Sequence, residues 1–153
     1  MRYVNQPVMK KDGMALVTGK PVYTQDLAPK DCLVVKVLRS PHASAKIKSI
    51  DKSRAEKVEG IVCILTHEDC PNRRFTQAGQ TFWEMSPYDR YILEDRVRFV
   101  GDAVAVIAGE NEKAVKKAMK LVKVEYEVLT PLLDFRTSKG NEILVHPEDD
   151  WKA

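Results

Sequence analysis

Residues 96–109 read RVRFVGDAVAVIAG, and this stretch decides the fold. Val97 and Phe99 carry strand pattern, Gly101-Asp102 is a turn signal, and residues 103–108 form an apolar run ended by Gly109. The reading is a buried strand framed by turn glycines and reached through a hairpin or an arch. Gly101 and Gly109 do not stand in Gly-x-Gly-x-x-Gly spacing and no Walker lysine follows them, so a phosphate cradle is unsupported.

Upstream, Leu33, Val34, Val35, Val37 and Leu38 predict a first core strand that ends near Ser40, because Pro41 has no N–H to give to a ladder. Residues 45–50 suit a second short strand with Lys46 and Lys48 turned to water and Ala45, Ile47 and Ser49 alternating against them. Asp51 is read as the N-cap of a short helix over residues 52–59, with Ala55 and Val58 on one side and Gly60 as its left-handed stop. A strand over residues 61–65 follows, then a capping box, Thr66-His67-Glu68-Asp69, for a single turn cut off by Pro71.

Downstream, Asn111 caps one long helix over residues 112–122, whose apolar stripe is Ala114, Val115, Ala118, Met119 and Val122. A last strand, residues 123–129, ends before Pro131. The sum is an α+β chain with a mixed sheet, one long helix and one short one. Residues 1–31, broken by Pro7, Gly13, Gly19, Pro21 and Pro29, read as an extended lead-in; 32–135 as the domain; 136–153 as a linker or a truncation tail.

The 153 residues are enough to bury a core without staples, and 44% hydrophobic with 31% charged residues is ordinary globular composition. A net charge of +3 points neither to nucleic acid nor to an anionic membrane. No apolar run approaches the roughly 18 residues of a membrane span. Cys32, Cys63 and Cys70 show no Cys-x-x-Cys spacing and fall short of the about four ligands of an all-cysteine iron–sulfur cluster. Free thiols without a signal-peptide pattern imply the cytoplasm.

Thr66 to Cys70 gather an imidazole, carboxylates and a thiol, but adjacent residues cannot all face one ion, so a helix cap is the simpler reading. His42 sits in a turn, where it is either a general base with an unseen partner or a turn-stabilising group. Lys113, Lys116, Lys117, Lys120 and Lys123 form a stripe opposite the apolar face, which is what a solvated helix side looks like. Glu125 with Glu127, and Asp149 with Asp150, are paired carboxylates on an exposed strand and in a polar tail. The long segment 72–91, with Arg73, Arg74, Phe75, Phe82, Trp83 and Tyr88, is different: large rings on a loop must pack down or meet something. They either insert against a partner or line a substrate passage.

Five motifs occur in series: Thr18-Gly19-x-x-x-Tyr23-x-x-Asp26, LRSPHA from Leu38 with Ile47 and Ser49-Ile50-Asp51, Gly60-Ile61 through Leu65-Thr66 to Glu68-Asp69, RVRFVGDAVAVIAG, and VKVEYE from Val122. Together they resemble the α/β-hammerhead domain of the xanthine dehydrogenase and aldehyde oxidase family, over about residues 4–135. The loop RRFTQAGQTFWEMSPYD is similar to the purine-hydroxylase branch. The resemblance implies a share in a molybdenum hydroxylase, in which molybdopterin-bound metal delivers a water-derived hydroxyl with a glutamate as base, and electrons leave through iron–sulfur clusters and FAD.

It also implies that the molybdenum-binding residues and the glutamate lie in a longer region after the hammerhead. The chain is then a scaffold, inactive when isolated, with no catalytic, cofactor-binding or metal-binding residue of its own. Its partners are the remainder of the molybdenum-binding subunit and the iron–sulfur and flavin parts, with no nucleic acid and no membrane. By position, Phe75, Gln77, Phe82 and Trp83 are the candidates for a substrate-channel wall. The rival expectation is a free-standing interaction domain that docks through loop 72–91.

Overall fold

The computed structural model describes residues 4–76 and 88–146. The chain divides into two compact units, Met1–Cys32 and Leu33–Ala153. Within the first, a short helix α1 (Gly13–Val17) is followed by a 3-10 turn, Thr24–Leu27, held by Asp26 accepting from the Tyr23 N–H at 2.9 Å.

The second unit is built on two three-stranded antiparallel sheets. Strands β1 (Val34–Arg39), β3 (Ile61–Leu65) and β5 (Ala103–Gly109) form the first, in the order β1-β5-β3. Strands β2 (Ala45–Asp51), β4 (Arg96–Val97) and β6 (Lys123–Val128) form the second, in the order β4-β2-β6. The α+β class holds, but the strands resolve into two antiparallel sheets where one mixed sheet was expected. The cause is the short 40–44 connection, which moves the chain from one sheet to the other, so that β1 and β2 do not pair.

Helix α2 (Glu112–Met119) starts at Asn111, whose side-chain oxygen accepts the Ala114 N–H at 2.9 Å. It lays Ala114, Val115 and Ala118 against Ala105, Ile107 and Ile64 of the first sheet. The contact is close. A Cβ at Gly109 would stand 2.6 Å from the Gly60 carbonyl oxygen and 2.9 Å from Val115 Cγ2, so only glycine lets strand and helix approach there. The helix ends earlier than its apolar stripe, with Met119 and Val122 packed at the core's margin.

The expected short helix over residues 52–59 is not a helix but a succession of turns. Ala55 and Val58 are nevertheless buried beneath α2's core, and Gly60 has the left-handed φ of 83° foreseen for it. Asp51 does not cap an α-helix; its carboxylate closes a local turn onto Ser53 N at 3.0 Å. The same carboxylate also accepts from the Ser53 hydroxyl at 2.6 Å, a local side-chain bond that offers the backbone a turn in place of a helix.

In the second sheet Ala45 and Ile47 face inward, while Ser49 is exposed and Ile50 replaces it, because the pairing with β6 shifts between Ile47 and Ser49. Ala45, Ile47 and Val97 meet Val104 of β5, which is fully buried. Val104 is therefore where the two sheets touch. No helix among the described residues is long and apolar enough to cross a membrane.

Candidate functional site

The long segment 72–91 is pinched at its neck. Phe75 and Arg90 form an isolated antiparallel bridge, with Phe75 N donating to Arg90 O at 2.8 Å and Arg90 N to Phe75 O at 3.3 Å. The two ends of the segment are thereby held together at fixed positions.

What holds Arg90 is Asp102. This carboxylate, buried in the turn before β5, accepts from Arg90 Nη2 at 3.2 Å, from Arg98 N at 2.9 Å and from Ala103 N at 3.1 Å. The turn itself depends on Gly101, whose φ is 95°, and is tied to the end of β1 by Gly101 N donating to Ser40 O and Ser40 N donating to Asp102 O, both 2.8 Å. Arg39 Nη1 adds a bond to Gly101 O at 2.8 Å. Cations then stack on rings: the Arg90 guanidinium lies 5.4 Å from the Phe99 ring centre and that of Arg74 5.3 Å from Tyr91, with Arg74 Nε donating to the Tyr91 hydroxyl at 3.1 Å.

Between these groups is a cleft of about 180 Å³, walled by Phe75, Tyr91 and Phe99 and by Arg39, Arg90 and Arg96 against Glu94 and Asp102. Arg90 is paired with Asp102, and Glu94 is paired with Arg98. Arg96 keeps a buried Nε that has no hydrogen-bond partner among the described residues. Its backbone is fixed by pairing with Lys46 in the second sheet. On its other side Arg96 borders a second, mainly apolar hollow of about 270 Å³ framed by Phe99, Pro131, Leu132 and Ile143. Among its described lining residues the first cleft presents rings and guanidinium groups, which suit flat or anionic groups, and no histidine, cysteine or serine.

Of the four channel candidates, Phe75 lines this cleft, and Gln77, Phe82 and Trp83 lie outside the described residues. The sequence reading passed over Arg39, Arg90, Arg96 and Asp102. Asp102 was visible only as half of a turn signal, and nothing in its neighbours showed that Arg90 would return to it.

The remaining candidates among the described residues take part in local bonds, ion pairs and ring contacts. Asp69 accepts from Thr66 N at 2.8 Å and from Thr66 Oγ1 at 3.0 Å, the expected cap, and Lys52 Nζ reaches the same carboxylate at 3.1 Å. The bond from the Thr66 N–H, with Lys52 and the Thr66 hydroxyl behind it, holds the Asp69 carboxyl below its ordinary pKa. His42 donates its backbone N–H to Ser40 Oγ at 3.0 Å and sets its ring edge-on to Tyr126 at 4.8 Å. Burial pushes the Tyr126 phenol up, against a bond with Ser40. Lys113, Lys116, Lys117, Lys120 and Lys123 are exposed; Lys116 pairs with Glu112 at 3.0 Å, and Lys36 from β1 reaches the same carboxylate at 3.0 Å. Glu125 accepts from Ser49 Oγ at 3.3 Å and Glu127 lies 4.0 Å from Lys48, on the exposed side of β6. Asp149 and Asp150 fall outside the described residues.

Among the described residues no group of three or more His, Cys, Asp or Glu side chains converges, and the three cysteines are free.

Comparison with known proteins agrees with this architecture. The family model described as aldehyde oxidase and xanthine dehydrogenase, a/b hammerhead domain, matches residues 18–130. A probable hypoxanthine oxidase of Escherichia coli K12 is 41% identical over 140 residues, covering 91% of this chain and 15% of that protein. A xanthine dehydrogenase molybdenum-binding subunit of Escherichia coli O157:H7 is 36% identical over 79% of this chain and 17% of its own length. Among solved structures, the aldehyde oxidoreductase of Desulfovibrio desulfuricans superposes with a TM-score of 0.75 at 28% identity, over 90% of this chain and 16% of that one. The chain thus spans about a sixth of the length of the proteins it matches.

Proposed function

The chain belongs to the aldehyde oxidase and xanthine dehydrogenase family as its a/b hammerhead domain, and from that membership we propose that it is the N-terminal hammerhead segment of a molybdopterin-dependent hydroxylase subunit. In this reading residues 32–135 are the hammerhead, 1–31 its lead-in and 136–153 the linker toward the catalytic part. The segment scaffolds that part and supplies one wall of the substrate passage, through Phe75, Gln77, Phe82 and Trp83. The reaction belongs to purine metabolism in the cytoplasm, with electrons leaving through iron–sulfur and FAD parts held elsewhere.

The observation that carries this reading is the 41% identity to a probable hypoxanthine oxidase along nine-tenths of the chain, confined to 15% of that relative's length. Support for the wall comes from the clamp between Phe75 and Arg90, which anchors the aromatic loop, and from the cleft of rings and guanidinium groups beside it. Molybdopterin chemistry would insert the hydroxyl, and no step through it is assigned to residues of this chain.

Trp83→Ala in the longer polypeptide tests the assignment. The expected outcome is a rise in KM or a change in substrate preference with Tm nearly unchanged. Unaltered kinetics with a large fall in Tm would make Trp83 a packing residue and remove the loop from the passage.

A further inference from the structure

In the first sheet, register sorts side chains onto two faces. Opposed residues share a face, so Val35, Ala108 and Cys63 form one row across the three strands, and Val37, Val106 and Leu65 form the next. Both rows point away from α2, whose packing takes the alternate residues Leu38, Ala105, Ile107 and Ile64. Further along this second face Val104 is fully buried against the second sheet. Beyond Val104 the face is open at its two edge strands, where Val35 is 56% exposed, Leu65 41% and Cys63 exposed, while Val37 and Val106 are half-buried and Ala108 is buried between them.

The second sheet shows that exposure alone does not explain this. Its outward rows are charged, pairing Lys46 with Glu127 and Asp51 with Lys123, as a solvated face should be. The uncovered rows of the first sheet carry no charge at all, so their complement is apolar. Two rows across three strands amount to about 200 Å², far below the roughly 800 Å² per partner of a stable independent interface. A second copy docking here would therefore be weak, whereas a covering surface joined in the same polypeptide acts at an effective concentration of about millimolar or more. The relatives carry some 83–85% of their length outside the matched segment.

We propose that the apolar face of Val35, Val37, Cys63, Leu65, Val106 and Ala108, exposed at Val35, Cys63 and Leu65, is where the remainder of the molybdenum-binding subunit packs, through an apolar surface of its own. This rests on the reading of the chain as a segment of such a subunit.

Cys63 is a built-in probe. Alkylation of Cys63 by N-ethylmaleimide, read by peptide mass spectrometry as the ratio of native to unfolded labelling rate, is compared in the 153-residue chain and in the molybdenum-loaded polypeptide that contains it. The expected result is a ratio near one in the chain and at least tenfold lower in the longer polypeptide. Leu65→Lys, at an exposed site of the chain, restores Cys63 labelling in the longer polypeptide by a similar factor while leaving the isolated chain's Tm unchanged. Equal labelling of Cys63 in chain and molybdenum-loaded polypeptide overturns this inference alone. Protection in the isolated chain that grows with its concentration overturns it in favour of a second copy. A longer polypeptide without molybdenum, or none at all, overturns the underlying reading as well.

Discussion

Asp102 shows how much rests on one residue. It is a buried carboxylate whose two oxygens serve two backbone N–H groups and Arg90, and through Arg90 it holds the neck of the 76–89 segment. Asp102→Ala leaves these donors without their acceptor; the half-exposed Arg90 recovers partly in water, so the cost is about 2–3 kcal/mol. Thermal or urea unfolding measures it, and faster amide exchange at Phe75 and Arg90 reports the opened neck. Gly109 is a second such position for a steric reason. Gly109→Ala drives a methyl group onto the Gly60 carbonyl and Val115, so α2 must lift from β5, at about 2 kcal/mol. An unchanged unfolding midpoint would mean that the helix–strand spacing yields more easily than the packing implies. Asp102 was legible in the sequence only as a turn former, because Arg90 meets it only once the residues between them fold back, whereas Gly109 was legible as a strand end but not as a packing site.

Elements differ in how locally they are determined. The Thr66–Asp69 turn is set within four residues, which is why its capping box could be read directly. Its carboxylate titrates below the ordinary value of 3.8. A depressed folded-state pKa contributes stability that is fully present above the unfolded value and disappears as pH falls through the folded one. The urea midpoint should therefore fall more steeply below about pH 4 in the native chain than in Asp69→Asn, where that slope is missing; parallel curves would assign the acid sensitivity to other carboxylates. Helix α2 and strands β1, β3, β5 and β6 were also readable, since cap, stripe and β-favouring runs are local signals. The segment 52–59 was not: its Ala55 and Val58 have helical spacing, but they are buried by the surrounding core rather than by a helix of their own. Ser49 and Ile50 exchanged places for a similar reason, because a bulge is a property of two paired strands and not of one.

At the scale of the molecule, the described residues form two antiparallel sheets and an arginine-lined cleft, and no group of three or more His, Cys, Asp or Glu side chains converges among them. The isolated 153-residue chain should accordingly oxidise no purine and retain no molybdenum after purification, checked by dye-linked activity assay and metal analysis; turnover by the chain alone would transfer the chemistry to residues assigned here to structure. The sequence by itself determined the family, the α+β class and most element positions, because periodicity, caps and turn glycines act over a few neighbouring residues. Only the tertiary structure decided that the strands divide into two antiparallel sheets, that Asp102 and Arg90 close the loop's neck, and that one apolar sheet face is left exposed at its edge strands. Those features depend on strand register and on contacts between residues far apart in the chain, which chain closure and packing select together.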